Sequence, residues 1–303
     1  TKISPLPNPP TPTPTPSSAK GPKRSFPTTP TSSIVNAPNF DAHVITYQLW
    51  DLAPAVHHVF YTRHLGLTPA IAEQIAQVKD FPQKFPSSLN NLAATKYLQG
   101  LKALHEVLND YANHLSGRAI YQFVPAYAAG DDVVLGERTR EGAGKEEKET
   151  QNILHFTRQQ IAPYHCLSDW VWPQSSSDQI ALFIVTVGQN LRRIVHQLKE
   201  QGEFLKSHLL AAYALESAEA LAHLVHQQVR NLWQIAPTQG QRYSFGHASC
   251  PNLDNQQVLF NILHPEQIGV TLTEAMMMEP EASVSGIILA HPEACYFDAL
   301  AKS

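Results

Sequence analysis

Between Tyr97 and Leu115 the apolar residues Leu98, Leu101, Leu104, Leu108, Tyr111 and Leu115 recur every three or four positions, which gives a helix one apolar face. A longer stretch, Ser207 to Trp233, repeats the pattern with Leu210, Leu221, Leu224, Val225, Val229 and Leu232. It predicts a long core helix. The apolar segment AIYQFVPAYAAGDDVVL (residues 119–135) is broken by Gly130 and two aspartates, the pattern of two strands joined by a turn. Ile180 to Val187 is short and rich in branched residues, as a buried strand is. Near the carboxyl end, VTLTEAMMMEP and ASVSGIILAH read as two further strands separated by Pro280 and Glu281, with the three methionines alternating between faces to fill gaps in the core. Gly136 to Glu149 is dense in charge and predicts an exposed loop.

Strands and helices thus mix without a regular βαβ alternation, which favours an α+β fold over a doubly wound one. The expectation is a single domain over residues 39–303, with a twisted, largely antiparallel sheet flanked by helices. Residues 1–38 differ in kind: 11 prolines alternate with Thr and Ser and leave almost no apolar surface to bury. They predict a disordered interdomain linker; a PxxP ligand for an SH3 or WW domain is the rival reading. The chain begins at Thr1 and its only methionines are Met276 to Met278, which suggests that it starts inside a longer product.

Composition narrows the function. With 43% hydrophobic and 16% charged residues, wholesale disorder is ruled out, and a net charge of -4 offers no field for a nucleic-acid backbone. Three cysteines form no disulfide framework, and no apolar run is long enough for a membrane span or a signal peptide. The expected location is cytoplasmic. The 15 histidines invite a metal site, yet His57/His58, His223/His226 and His165/Cys166 complete no ligand set. His247 and Cys250 could pair as base and thiolate, but no third orienting group is evident, so a structural cysteine is favoured. Neither GxGxxG nor a P-loop occurs.

The carboxyl-terminal third carries more specific information. RYSFGHASCP (residues 242–251), GVTLTE, ASVSG and HPEACYF follow one another in order. Together they resemble the activation domain at the carboxyl end of cobalamin-dependent methionine synthase, with its R-x-x-x-G-aromatic-x-x-C-P loop. Upstream, VPAYAAGDDVVL, FTRQQ and CLSDWVWP are similar to further motifs of that family, so the resemblance spans roughly residues 118–298. Val124 and Tyr127 stand where the family has Phe and Asn, and His247 replaces a tyrosine.

The resemblance implies a methyltransferase module that binds S-adenosylmethionine and supports reductive methylation of cob(II)alamin. The electron would come from a flavodoxin-type donor. The chain lacks the D-x-H-x-x-G cobalamin motif, so cobalamin belongs to a neighbouring cobalamin-binding domain, tethered through the Pro/Thr arm. For the ligand, Arg242 matches a donor fork for its carboxylate and Glu219 an acceptor for its ammonium. Tyr296 matches an aromatic face near the sulfonium. Gly246, His247 and Phe297 line the same motifs, and Asp51 stands for the acidic ligand residue of the amino-terminal part. No acid-base dyad is expected, because methyl transfer from a sulfonium asks chiefly for alignment. The alternative is a noncatalytic interaction protein, a degenerate copy that binds a partner through its proline-rich arm.

Overall fold

The strand β5 (Asp178–Thr186) buries every side chain from Ile180 onward because both of its faces are covered. Along it, Ala181, Phe183 and Val185 enter one hydrophobic cluster while Ile180, Leu182 and Ile184 enter another, which is the period-two alternation of a pleated strand. In this computed structural model, residues 40–76, 95–136, 152–173 and 178–301 are described. The expected linker 1–38 and nearly all of the charged loop 136–149 lie outside them.

The other strands are β1 (His43–Gln48), β2 (Ser116–Ala129), β3 (Asp132–Leu135), β4 (Asn152–His155), β6 (Gln241–Ser244) and β9 (Ser283–Leu289). They join β5 in a seven-stranded sheet of order β4-β3-β2-β5-β9-β6, in which β1 pairs with the first half of β2. All its ladders are antiparallel. Four helices, α1 (Leu49–Arg63), α3 (Thr95–Tyr111), α4 (Leu191–Glu200) and α5 (Phe204–Leu232), cover one face, and α2 (Pro69–Ala76) packs on α1. The other face is closed by α6 (Asn255–Leu263) and by the segment around Trp170. The result is the expected α+β architecture.

Two expectations need correction. The helix predicted to reach Leu115 ends at Tyr111, and a tight turn over Ala112–His114 delivers Leu115 in extended form to the start of β2. VTLTEAMMMEP is not one strand. It folds back on itself as β7 (Thr271–Leu272) against β8 (Met278–Glu279), closed by Thr273 N–H to Met277 O at 2.9 Å and Met276 N–H to Thr273 O at 3.0 Å. The turn puts Met276 at φ 57° and leaves Met277 57% exposed, so only Met278 reaches the core. Alternation in so short a segment does not separate a strand from a hairpin.

Candidate functional site

Edge strand β6 is held in place before it begins. Arg230, in the last turn of α5, donates from Nε to Gln239 O and from Nη2 to Gly240 O, both at 2.7 Å. Gly240 has φ +73°, and a Cβ there would stand 2.5 Å from Leu289 O. β6 then pairs with β9, matching Arg242 with Ile288 and Ser244 with Gly286. This register turns Arg242 toward the face covered by α5, where its guanidinium carbon lies 5.9 Å from the Phe183 ring centroid. Its Nη2 donates to Glu219 Oε2 at 3.0 Å. Nη1 is buried with no partner among the described residues. The Arg242 side chain is 16% exposed against 53% for Glu219, so the pair itself contributes at most about 1 kcal/mol and rearranges easily.

Beyond β6 the chain makes a closed loop. Gly246, at φ +85°, donates to Cys250 O at 2.9 Å, and Cys250 N–H returns to His247 O at 2.8 Å. The closing segment lies against this loop. Ser249 Oγ accepts from Phe297 N–H at 2.9 Å and donates to Phe297 O, and Ala299 N–H reaches Ala248 O at 3.0 Å. Tyr296 is half-exposed, donates its hydroxyl to Arg242 O at 2.7 Å, and holds its ring 5.4 Å from His247 and 5.5 Å from Tyr243. Arg242, Glu219, Gly246, His247 and Tyr296 therefore come together. Phe297 is their anchor, turned against His165 and Trp170. Asp51 serves another end: its Oδ2 accepts from Gln48 N–H at 3.1 Å and caps α1, and no described contact joins it to Arg242 or Glu219.

Sequence reasoning missed the rest of the α5 face. Glu219, His223, His226 and Arg230 fall at successive helical spacings on one side. Burial, then the charges of Arg230, Arg242 and His223, bring His226 down to about 3. His223 is lowered in the same way, by burial and then Arg242 and Arg230, and its Nε2 lies 3.0 Å from Gln227 Nε2. Both rings are neutral near pH 7. Glu216, one turn before Glu219, takes Arg63 at 2.6 Å and His64 at 3.0 Å on the same oxygen. Arg63, Glu216, Glu219 and Ser283 line a cleft of about 220 Å³. Nothing in the residue spacing alone signals this convergence.

As for the other chemistries, Cys250 is buried and its thiol pushed up by burial, which removes it as a nucleophile. Among the described residues no three His, Cys, Asp or Glu side chains converge as a metal set, and no helix is long and apolar enough to cross a membrane.

The upstream motifs meet at Arg158. Its Nη1 and Nη2 each donate to Asp169 at 2.8 Å, and Nε donates to Asp131 at 2.8 Å. The neighbouring Gln159 accepts from His165 N–H at 3.1 Å and donates to Asp298 O at 3.0 Å. The GDD, RQQ and CLSDW segments and the closing motif are thus tied into one knot behind the site.

Comparison with known proteins bears on the family and the fold. The chain is 26% identical over 204 residues to a protein named methionine synthase of Mycobacterium tuberculosis (strain ATCC 25618 / H37Rv), covering 59% of this chain and 17% of that protein. Identity to the methionine synthase of Mycobacterium leprae (strain TN) is 25% over 236 residues, covering 70% and 19%. The chain therefore spans under a fifth of the length of these relatives. A crystal structure described as the MetH reactivation domain bound to AdoHcy superposes with a TM-score of 0.67 at 22% identity, covering 91% of this chain and 90% of that one, which establishes the shared fold. The family profile of the vitamin B12 dependent methionine synthase activation domain matches residues 46–301, a span that holds β6, the loop after it and the closing motif, and the chain belongs to that family.

Proposed function

We propose that this chain binds S-adenosylmethionine at the β6 edge and, as the carboxyl-terminal module of a methionine synthase, supports reductive methylation of cob(II)alamin carried by another domain. The observation that carries this reading is the state of Arg242. Its guanidinium is largely buried, yet its one described side-chain hydrogen bond goes to a half-exposed glutamate. A ligand with adjacent ammonium and carboxylate groups complements that pair: the carboxylate takes the outer edge of the guanidinium while the ammonium takes Glu219. The exposed Tyr296 ring, fixed by its bond to Arg242 O, presents an aromatic face suited to a sulfonium.

The relative crystallised with AdoHcy carries the demethylated form of this ligand, which supports the assignment. When bound, S-adenosylmethionine supplies the methyl group. The residues of this chain bind and orient it, and alignment is the contribution the chemistry requires. The remaining partners follow from the family: a cobalamin-binding domain of the same enzyme, joined through residues 1–38, and a flavodoxin-type electron donor. Calorimetric titration of the chain with S-adenosylmethionine tests the reading. Saturable binding of one equivalent is expected, and no heat of binding at millimolar ligand would refute it.

A further inference from the structure

We propose that Glu216 is a further binding residue for the ligand, its Oε2 accepting from the ligand ammonium so that this group sits between the carboxylates of Glu216 and Glu219. The proposal rests on the reading that Arg242 and Glu219 hold the amino-acid end of S-adenosylmethionine.

The two glutamates are three residues apart on α5 and line the same cleft of about 220 Å³, which Ser283 and Val284 of β9 also line. Residues at that helical spacing are neighbours, with Cβ atoms about 5–6 Å apart. One ammonium can bridge such a gap. It carries three N–H donors, and a single carboxylate already shared with Arg242 meets them incompletely. Glu216 is engaged on one side only. Its Oε1 takes both Arg63 Nη1 at 2.6 Å and His64 Nε2 at 3.0 Å, while Oε2 has no described hydrogen bond. The Glu216 side chain is 11% exposed, and a carboxylate so far removed from water calls for donors on both oxygens. The other polar group of the cleft, the Ser283 hydroxyl, is engaged with Pro280 O at 2.6 Å and Thr186 Oγ1 at 2.9 Å. Opposite charges then alternate from the cleft into the Arg242 site: Arg63, Glu216, the ligand ammonium, Glu219, Arg242 and the ligand carboxylate. That row suits an α-amino acid zwitterion better than an amine or an acid alone.

The test is calorimetry with S-adenosylhomocysteine on the full chain, with thermal unfolding of each variant. Glu216→Gln, which keeps the shape but not the charge, should weaken binding about tenfold, and the double variant with Glu219→Gln should bind more weakly than either single one. Arg63→Gln removes the ion pair at Oε1 and leaves the carboxylate in place, so its affinity should stay within about threefold of wild type. Wild-type affinity in Glu216→Gln beside lost binding in Arg242→Ala overturns the role of Glu216 and leaves the ligand assignment standing. Wild-type affinity in Arg242→Ala overturns that assignment, and this inference with it. Equal losses in Arg63→Gln and Glu216→Gln show that the pair acts only by holding the end of α1 against α5, and overturn the proposal. Should Glu216→Gln fail to fold, Glu216→Asp decides in its place: it draws the carboxylate back by one methylene, and an affinity equal to wild type overturns the proposal.

Discussion

Gly286 on β9 and Tyr243 on β6 approach so closely that a Cβ on the glycine would stand 2.1 Å from the tyrosine carbonyl oxygen and 2.9 Å from Ser244 Cα. The obstacle is backbone, which cannot swing aside as a side chain would. Gly286→Ala should therefore push β6 outward, and with it Arg242, which directly precedes Tyr243 on that strand. A loss of about 1–3 kcal/mol in unfolding free energy is expected, together with loss of S-adenosylmethionine binding beyond what the stability change explains. Denaturant titration and calorimetry on one preparation measure both, and unchanged affinity would show that the strand position does not matter to the site.

Within the proposed binding pair of Arg242 and Glu219, charge and geometry separate. Arg242→Lys keeps the charge but not the planar fork, so it should recover only part of the roughly 2–4 kcal/mol expected to be lost in Arg242→Ala. Glu219→Gln removes the carboxylate that the proposed function assigns to the ligand ammonium and should weaken binding by about 1–2 kcal/mol while barely affecting stability, since the side chain is 53% exposed. Isothermal titration of the three variants checks the order. A Lys variant that binds as well as wild type would remove the fork from the argument.

The knot around Arg158 offers a graded test. Asp169 is 14% exposed, takes both guanidinium nitrogens and also accepts from Cys166 N–H at 2.9 Å. Asp131 is 48% exposed and takes one nitrogen. Asp169→Asn should cost about 2–3 kcal/mol, and Asp131→Asn less than about 1 kcal/mol. Thermal unfolding separates the two, and equal costs would show that exposure does not set the value of these bonds.

Acid should weaken the fold through its buried histidines. His57 is 7% exposed, stacks on Tyr61 at 5.3 Å, and is brought down by burial from 6.5 to about 4. Between those values the unfolded chain takes up a proton that the native ring does not, so stability falls as pH drops from about 6.5 to 4, by about 1.4 kcal/mol for each unit of the shift at most. Burial raises Asp178 to about 6, opposed by bonds from Trp172 and Gln179 N–H, and this group acts in the opposite sense between 3.8 and 6. Equilibrium unfolding across that range should show a shallower acid slope in His57→Phe. An unchanged slope would mean that the native ring takes up its proton as readily as the unfolded one.

Where one side chain after another repeats a period, the local pattern was sufficient. The stripe from Leu210 to Leu232 marked α5, and Gly130 between two apolar runs marked the turn from β2 to β3. The motif residues Arg242, Gly246, His247 and Tyr296 were legible because they lie in short segments whose order is itself a signature. Asp51 was legible only as an acid in the expected region, and its local role is a helix cap. The hairpin within VTLTEAMMMEP escaped because a turn of four residues interrupts too short an alternation to be seen.

The sequence by itself determined the long helix α5, the buried strand β5, the turn from β2 to β3, the α+β class and the family, since these depend on periodicity or on residues near one another along the chain. Only the tertiary structure decided that Glu219 on α5 faces Arg242 on β6 across 23 residues. It likewise decided that Tyr296 is pinned to the Arg242 carbonyl and that Arg158 gathers motifs from three segments. Those relations arise from strand register and from the face of α5 that meets the sheet. Register is set jointly by every pair in the ladder, and by the glycine contacts at 240 and 286 that let β6 come close.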